Sequence, residues 1–249
     1  MAIFLLCYPL LILVFGKTPE QAFRLRRRWI KYFALPILNI KCQVKGEAST
    51  TPALYVCNHR SFSDPIINCT FLDAYVIAKA EIANYPIINK GAEATGVLWV
   101  KRESVKSRNA TREKLVETLL RGYNVLVYPE GTVGVTPETL KFSKGTFIEA
   151  AKNNIPVVPI ALEYRDTKDL WQGTNFLQHY FKQFASWRTE VKMSFGPAMT
   201  ADDGPQLSLD AQAWINAELK EMQKDWTRVD WGEFYEEDNQ SEIITNKQD

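Results

Sequence analysis

The chain has 249 residues, of which 46% are hydrophobic and 24% are charged, and its formal net charge is +1. This composition excludes a disordered chain, and the length allows one large core or two small ones. The four cysteines, Cys7, Cys42, Cys57 and Cys69, show no C-x-x-C spacing. They therefore indicate neither a disulfide framework nor a zinc site, and they favour a reducing, cytosol-facing location.

The N-terminal region predicts contact with a membrane. Residues 2–15 carry no charge but are fewer than the roughly 18 to 20 apolar residues that span a bilayer. Basic residues follow this run instead of preceding it, which is the wrong order for a signal peptide. Residues 22–41 then interleave aromatic side chains with arginines, as in a helix lying on anionic lipid. Residues 1–45 are thus predicted to be a membrane-associated helical arm, the alternative being a buried helix pair with solvated arginines.

Short apolar runs alternate with helical patterns from residue 52 onward, which indicates an α/β domain over residues 46–232. We expect a single domain with a central, mostly parallel or mixed sheet flanked by helices. Strands are predicted at 53–57, 74–78, 97–100, 124–128, 157–162 and 190–195. Helices are predicted at 64–71, 80–90, 105–121, 144–153 and 208–225. Residues 233–249 are acidic and poor in aliphatic side chains, which predicts a mobile tail.

Two local features of these elements can be checked against a structure. Ser208 is the predicted N-cap of the last helix, because the apolar face of that helix begins directly after it. Pro159 lies inside a predicted strand, where its missing N–H favours an edge position or a bulge.

Polar residues gather where the predicted strands end, at Asn58 and His59, at Lys101 and Arg102, and at 130–132. In open α/β sheets the ligand crevice lies outside the carboxyl ends of the strands. The sequence therefore predicts one functional edge of the sheet.

His59 and Asp64 can form a base and its orienting partner at this edge. A carboxylate that accepts a hydrogen bond from one imidazole nitrogen leaves the other nitrogen free to take a proton from a hydroxyl. The alternative is that Asp64 caps a helix that has Pro65 in its first turn, and that His59 is an ordinary loop residue. A metal site is disfavoured because His179 is the only other histidine.

The segment Y-P-E-G-T at 128–132 has the parts of a ligand-binding turn. Gly131 lets backbone amides approach a ligand, the Thr132 hydroxyl can donate to an anion, and the Glu130 carboxylate can accept from a substrate hydroxyl. Arg102 and Lys144 are candidate phosphate contacts. The alternatives are a simple turn and surface charge.

Four segments in order resemble the blocks of the glycerolipid acyltransferase family, notably the lysophosphatidic acid acyltransferases. They are N-H-R-S-F-S-D at 58–64, V-K-R-E at 100–103, Y-P-E-G-T at 128–132 and I-P-V-V-P-I at 155–160. The resemblance covers about residues 50 to 165. It implies transfer of a fatty acyl group from an acyl-CoA or acyl carrier protein thioester to a lipid hydroxyl, with no cofactor beyond that co-substrate.

The resemblance also implies a role for each matching residue. His59 would be the general base, Asp64 its orienting partner, and Arg102 the contact to the acceptor phosphate. The acceptor's glycerol part would be positioned by Glu130, Gly131 and Thr132. The acyl-binding wall would include Ile155, Pro156, Val158 and Pro159.

One departure from the family pattern bears on the acceptor. The family often continues P-E-G-T with Arg-Ser, whereas this chain has Val133 and Gly134, and Lys144 is the residue that can compensate. Lysophosphatidic acid is the favoured acceptor, with a lyso-aminolipid or glycerol 3-phosphate as alternatives, and a non-catalytic lipid-binding protein as the rival class. We expect a location on the cytoplasmic face of a membrane, the inner membrane in a bacterium, and no nucleic-acid partner.

Overall fold

The computed structural model of the chain describes residues 18–80, 96–100, 104–171 and 188–226. Residues 2–15, most of the helix predicted at 80–90, Lys101 and Arg102, and the tail predicted at 233–249 lie outside the described residues.

A seven-stranded mixed sheet forms the centre of the molecule. The strands are β1 (Ile40–Lys45), β2 (Leu54–Cys57), β3 (Ala74–Lys79), β4 (Val97–Val100), β5 (Asn124–Val127), β6 (Val157–Tyr164) and β7 (Thr189–Phe195). Their order is β1-β7-β6-β2-β5-β3-β4. The five strands from β6 to β4 are mutually parallel, while β7 is antiparallel to β6 and parallel to β1. The prediction of an α/β domain with a mixed sheet is confirmed.

The strand β1 was not predicted. Only Ile40 of its six residues is buried, because β1 lies at the edge of the sheet and carries lysines at positions 41 and 45. A strand that buries so little apolar surface has no clear period-2 signal.

Helices cover both faces of the sheet. They are α1 (Pro19–Trp29), the single turn α2 (Leu35–Ile37), α3 (Asp64–Phe71), α4 (Val105–Leu120), α5 (Gly145–Lys152) and α6 (Gly204–Lys224). Alternate strand residues point to opposite faces. Tyr55 and Cys57 therefore pack with Ile67 of α3, whereas Leu54 and Val56 pack with the side of α4, α5 and α6.

The last helix begins four residues before the predicted N-cap, so the assignment of Ser208 was wrong. Asp203 is the cap, and its Oδ1 accepts a hydrogen bond of 3.1 Å from the amide of Gln206. Pro205 stands in the first turn of α6, where its missing N–H is no loss. Ser208 is buried within the helix.

Pro159 lies in the interior of the sheet and not at an edge, because β6 is flanked by β2 and β7. The bulge alternative fits the pairing. Ile160 is opposite Phe195 but Val157 is opposite Met199, so the strand facing β6 contains one extra residue across this stretch. Within it, the amide of Gly196 donates to the carbonyl of Pro159 at 2.8 Å.

The N-terminal helices change geometry ahead of Pro36. Residues Ile30–Ala34 form a π-helical turn, in which the amide of Leu35 donates to the carbonyl of Ile30. Pro36 cannot donate to the carbonyl four residues earlier and its ring would crowd that carbonyl, which accounts for the wider turn. None of the helices within the described ranges is both long and apolar enough to cross a membrane.

Asp169 gives the fold a pH-dependent stability. It ends a 3₁₀ turn after β6, has no exposed surface, and accepts a hydrogen bond of 3.1 Å from the Thr189 hydroxyl. Burial raises the pKa of Asp169 to about 6, although the Thr189 hydrogen bond and the Lys168 charge act in the opposite direction. The folded protein therefore binds this proton more tightly than the unfolded chain does, and the contribution is lost as the pH rises from about 4 through 6.

We expect Asp169→Asn to raise the melting temperature relative to the wild type at pH 8, because the neutral amide avoids burial of a charge. The difference should shrink at pH 4.5, where Asp169 is protonated. Thermal unfolding at both pH values measures this, with Asp202→Asn at an exposed position as the control. If the difference in melting temperature between Asp169→Asn and the wild type is the same at both pH values, the assignment is wrong.

Candidate active site

Asn58 turns the chain out of the sheet at the end of β2. Its side-chain amide donates to the carbonyl of Leu162, and its side-chain oxygen accepts from the amide of the same residue, both at 2.8 Å. This pair replaces the backbone ladder between β2 and β6 one residue after Cys57 pairs with Ile160. The main chain is thereby free to leave the sheet and to place His59 at its carboxyl edge.

His59 and Asp64 are hydrogen-bonded. The distance from His59 Nδ1 to Asp64 Oδ2 is 2.7 Å, and the His59 side chain is 21% exposed while Asp64 is fully buried. The same Oδ2 accepts from the amides of Arg60 at 2.6 Å and Ser61 at 2.9 Å. Because the carboxylate accepts a hydrogen bond from Nδ1–H, Nε2 carries the lone pair and can act as a base.

The carboxylate of Asp64 points back along the chain. Asp64 is the first residue of α3, and the preceding N-cap position, Ser63, makes no side-chain cap. The amides bound by Asp64 belong to residues 60 and 61, which precede the helix. The geometry is therefore that of a histidine partner, whereas the alternative of a helix cap would require bonds to amides within α3.

Tyr128 holds the imidazole from one side. Its ring stacks on His59 with centroids 4.3 Å apart and planes 26° apart. Asn68 donates to the Tyr128 hydroxyl at 3.2 Å and to the carbonyl of Asp64 at 3.0 Å. Burial raises the pKa of the Tyr128 phenol well above its usual range, with nearby Cys57 and Asp64 adding to the effect, so the ring stays neutral.

Glu130 binds amides of the protein with both carboxylate oxygens. One accepts from the amide of His59 and the other from the amide of Leu140, each at 2.8 Å. Burial raises the pKa of Glu130, while these hydrogen bonds and the charges of Arg60 and His59 lower it. These contacts fix the His59 backbone, and the predicted contact with the acceptor stays a prediction.

Gly131 and Thr132 complete the turn beside Glu130. Gly131 has a φ of +76°, a left-handed conformation that favours glycine, and Thr132 is exposed. Lys144 is also exposed, directly before α5, and the amide of neighbouring Ser143 donates to Pro129 at 2.8 Å. Lys144 therefore follows a segment that is attached to the same turn. Arg102 lies outside the described residues.

The protein-family model described as Acyltransferase matches residues 39–163, which is half of the chain. The chain belongs to the Acyltransferase family. The match includes His59, Asp64 and the turn at 128–132, and thus the whole of the hydrogen-bonded cluster described above.

Two curated members of the family illustrate its acceptors. The chain is 34% identical over 145 residues to the lyso-ornithine lipid O-acyltransferase of Pseudomonas aeruginosa, covering 57% of this chain and 54% of that protein. It is 30% identical over 146 residues to the 1-acyl-sn-glycerol-3-phosphate acyltransferase of Borreliella burgdorferi, covering 57% and 58%. The chain thus spans just over half the length of these relatives.

A solved acyltransferase shares the fold. The crystal structure of the 1-acyl-sn-glycerophosphate acyltransferase PlsC from Thermotoga maritima superposes with a TM-score of 0.63, covering 83% of this chain and 81% of that one. At 18% identity this similarity concerns the fold alone.

Gly134 has no room for a side chain. Its amide donates to the carbonyl of His59 at 2.7 Å. A Cβ atom at this position would lie 2.7 Å from Glu130 Oε2 and 3.2 Å from Leu140. A side chain would therefore disturb the carboxylate that supports His59.

The residues predicted to form the acyl-binding wall are not brought to His59. Ile155, Val158 and Pro159 are buried, and Pro156 is half-buried. Val157 pairs with Leu54, which precedes His59 by five residues. At about 3.3 Å per residue, Val157 lies roughly 16 Å from His59 along the strand direction, and Pro159, opposite Val56, lies roughly 10 Å from it. Their role in acyl binding stays a prediction.

Arg60 fastens the loop after the P-E-G-T turn to the sheet. Its guanidinium is 1% exposed and donates to the carbonyls of Gly134 and Pro137, each at 3.1 Å, and of Thr136. It also pairs with buried Glu163 of β6 at 3.0 Å. Gln223 of α6 donates to Pro137 at 2.9 Å and to Glu163 at 2.8 Å.

Three residues that surround this site were not singled out from the sequence. Arg60 lies in a polar segment that predicts a solvated arginine, and its partner is 103 residues away in sequence. Asn68 and Tyr164 sit among apolar residues of α3 and β6. Extending the strand 157–162 by two residues would have placed Tyr164 on the face that carries Ile160 and Leu162, which was the available signal.

We expect Arg60→Met to lower the free energy of unfolding by about 3 to 5 kcal/mol, because it leaves the buried Glu163 charge without its partner. The double variant Arg60→Met/Glu163→Leu should recover much of this loss. Chemical denaturation measures both. Lys45→Met, which breaks an exposed ion pair with Glu218, is the control and should cost at most about 1 kcal/mol. Equal stability of Arg60→Met and the wild type would contradict this role.

Proposed function

We propose that this chain transfers a fatty acyl group from an acyl-CoA or acyl carrier protein thioester to the free hydroxyl of a lysophospholipid. Lysophosphatidic acid is the first acceptor, and phosphatidic acid is the product. Membership of the Acyltransferase family supports the reaction class. The observation that carries the proposal is the pairing of a partly exposed His59 with a fully buried Asp64 at 2.7 Å.

The reaction needs one base and no covalent enzyme intermediate. His59 Nε2 takes the proton of the acceptor hydroxyl while its oxygen attacks the thioester carbonyl carbon. The tetrahedral oxyanion then collapses, the C–S bond breaks, and the thiolate receives the proton from the imidazolium. Asp64 stabilises the imidazolium between these two transfers.

The nearest cysteine in sequence supports direct transfer to the acceptor. Cys57 lies two residues before His59 and has no exposed surface. Burial raises the pKa of its thiol well above the usual range, and the charge of Asp64 adds to this effect. A protonated, inaccessible thiol cannot attack the thioester.

The acceptor headgroup has a second candidate. Val133 and Gly134 stand where the family often has Arg-Ser, so that a basic residue is replaced at position 133, and the amide of Gly134 donates to the carbonyl of His59. The similarity to a relative named lyso-ornithine lipid O-acyltransferase favours a lyso-aminolipid as this second acceptor. Lys144 and Arg102 are the cations proposed to bind the phosphate of lysophosphatidic acid.

We also propose that the described part of the N-terminal arm rests on an anionic membrane. Tyr32, Phe33 and Ile37 are 64%, 58% and 77% exposed. Exposed Arg28 and Lys31 lie next to them in sequence. This mixture of exposed apolar and cationic side chains suits a lipid interface.

We expect His59→Gln and His59→Ala to lower kcat/KM by roughly 10² to 10⁴, because the proton of the attacking hydroxyl loses its base. Mass detection of phosphatidic acid, with acyl-CoA and acyl carrier protein donors tested in parallel, measures this loss. His179→Ala controls for removal of an imidazole. A melting temperature close to that of the wild type shows that folding is intact, and unchanged turnover in both His59 variants would exclude the mechanism.

We expect the triple variant Tyr32→Ser/Phe33→Ser/Ile37→Ser to bind anionic vesicles at least about tenfold more weakly than the wild type, because burial of apolar surface is lost. Vesicle flotation measures this. Val44→Ser, on an exposed edge-strand residue, is the matched control. Unchanged flotation of the triple variant would rule out this surface as the lipid contact.

A further inference from the structure

Tyr164 contacts the dyad from a distant strand. It is the last residue of β6 and is 1% exposed. Its hydroxyl donates to Asp64 Oδ1 at 2.7 Å. The other oxygen of the same carboxylate, Oδ2, binds His59 and the amides of Arg60 and Ser61.

The direction of this hydrogen-bond chain follows from its acceptor. An ionised carboxylate has no proton to give, so the single phenolic proton of Tyr164 points to Asp64. Ser63 Oγ lies 2.7 Å from the Tyr164 oxygen, and it must therefore be the donor in that contact. The chain runs from Ser63 to Tyr164 and ends on Asp64.

We propose that Tyr164 is a positioning residue for acyl transfer: it fixes the rotation of the Asp64 carboxylate and limits the negative charge that this carboxylate presents to His59. The inference rests on the proposed function of the His59–Asp64 pair. Tyr164 acts through Asp64 and does not itself touch the substrate.

The position of Tyr164 in β6 fixes the geometry of this hydrogen bond. Side chains alternate along β6, so Tyr164 shares a face with Ile160 and Leu162, which pack with α3 in one apolar cluster. The phenol therefore reaches Asp64 from a strand that is still paired with β7 at this point, where Tyr164 lies opposite Val191. A donor held in this way keeps Oδ2, and not Oδ1, directed at His59.

Tyr164 remains a donor wherever the dyad is active. Burial raises the pKa of the phenol well above its usual range, and the charge of Asp64 raises it further. The titratable and charged groups around the dyad are Cys57, Arg60, Tyr128, Glu130 and Tyr164. Cys57, Tyr128 and Tyr164 all have a raised pKa, which keeps them neutral.

Loss of the phenol has a predictable electrostatic effect. A carboxylate with one hydrogen bond fewer carries more uncompensated charge and stabilises the imidazolium more strongly. The base is then protonated up to a higher pH. A residue with a purely structural role would lower the melting temperature without moving the pH profile.

The experiment uses the full chain with the substitution Tyr164→Phe. We expect kcat/KM to fall on the order of tenfold or more, as for loss of a hydrogen bond to a charged group. The acid limb of its pH profile should move upward by roughly half a pH unit. The fall should be in kcat and not in KM, since the acceptor does not contact Tyr164.

Two further variants test the specificity of the effect. Tyr55→Phe also removes a hydroxyl from a fully buried tyrosine of the same sheet, whose ring lies against Phe195, and should leave the acid limb in place. Ser63→Ala removes the donor to Tyr164 and weakens the polarisation of the phenol. It should shift the acid limb in the same direction by a smaller amount, and it provides the test if Tyr164→Phe does not fold.

Proton NMR provides a readout that does not need activity. The chain has two histidines, and a ring proton shared with a carboxylate at 2.7 Å gives a downfield signal that His59→Gln should abolish. We expect Tyr164→Phe, or Ser63→Ala if that variant does not fold, to move this signal.

The outcomes separate the two proposals. A wild type without acyl transfer, but with a signal that moves in Tyr164→Phe, would remove the proposed function and keep the positioning contact. An unmoved signal together with an unchanged acid limb, in an active enzyme, would overturn the role of Tyr164.

Discussion

The carboxylate of Asp64 has no exposed surface, so its charge has to be balanced by neighbouring hydrogen-bond donors. It accepts hydrogen bonds from the amides of Arg60 and Ser61, from the ring of His59 and from the phenol of Tyr164. Each of these hydrogen bonds fixes the backbone segment that carries its donor. The turn between β2 and α3 folds around the carboxylate, and the end of β6 is held against it.

A second buried charge organises the other side of the site. Arg60, adjacent to His59 in sequence, points away from the dyad and pairs with Glu163, adjacent to Tyr164. Neighbouring residues in both segments thus serve opposite sides of the sheet edge. His59 and Tyr164 both contact Asp64 and form the site of the base. Arg60, paired with Glu163, holds residues 134–137. The loop after the P-E-G-T turn is built into the sheet by these contacts together with those of Glu130.

The N-terminal helices connect the proposed lipid surface to this site. α1 packs on α3, the helix that begins with Asp64, and the buried guanidinium of Arg26 donates to the carbonyl of Ala74 at 2.9 Å. Ile30 and Ala34 enter the same apolar cluster as Tyr164. Side chains on the opposite side of these turns, such as Phe33, are exposed. The proposed lipid surface is thus joined by packing to the helix that begins with Asp64.

The sequence by itself determined six of the seven strands and the edge that carries polar residues, and it offered the pairing of His59 with Asp64 as one of two alternatives. These depend on local periodicity and on a turn of five residues, which nearby residues specify. It left open whether Asp64 caps a helix and whether Pro159 marks an edge.

The tertiary structure decided the partners that come from distant segments. Glu130 binds the amides of His59 and Leu140, and Arg60, which the sequence did not single out, is buried and pairs with Glu163. Tyr164 lies 100 residues from Asp64 in sequence. Such contacts depend on which strands become neighbours in the sheet, and one sequence contains no local signal for that order, because parallel pairing brings together residues far apart in the chain.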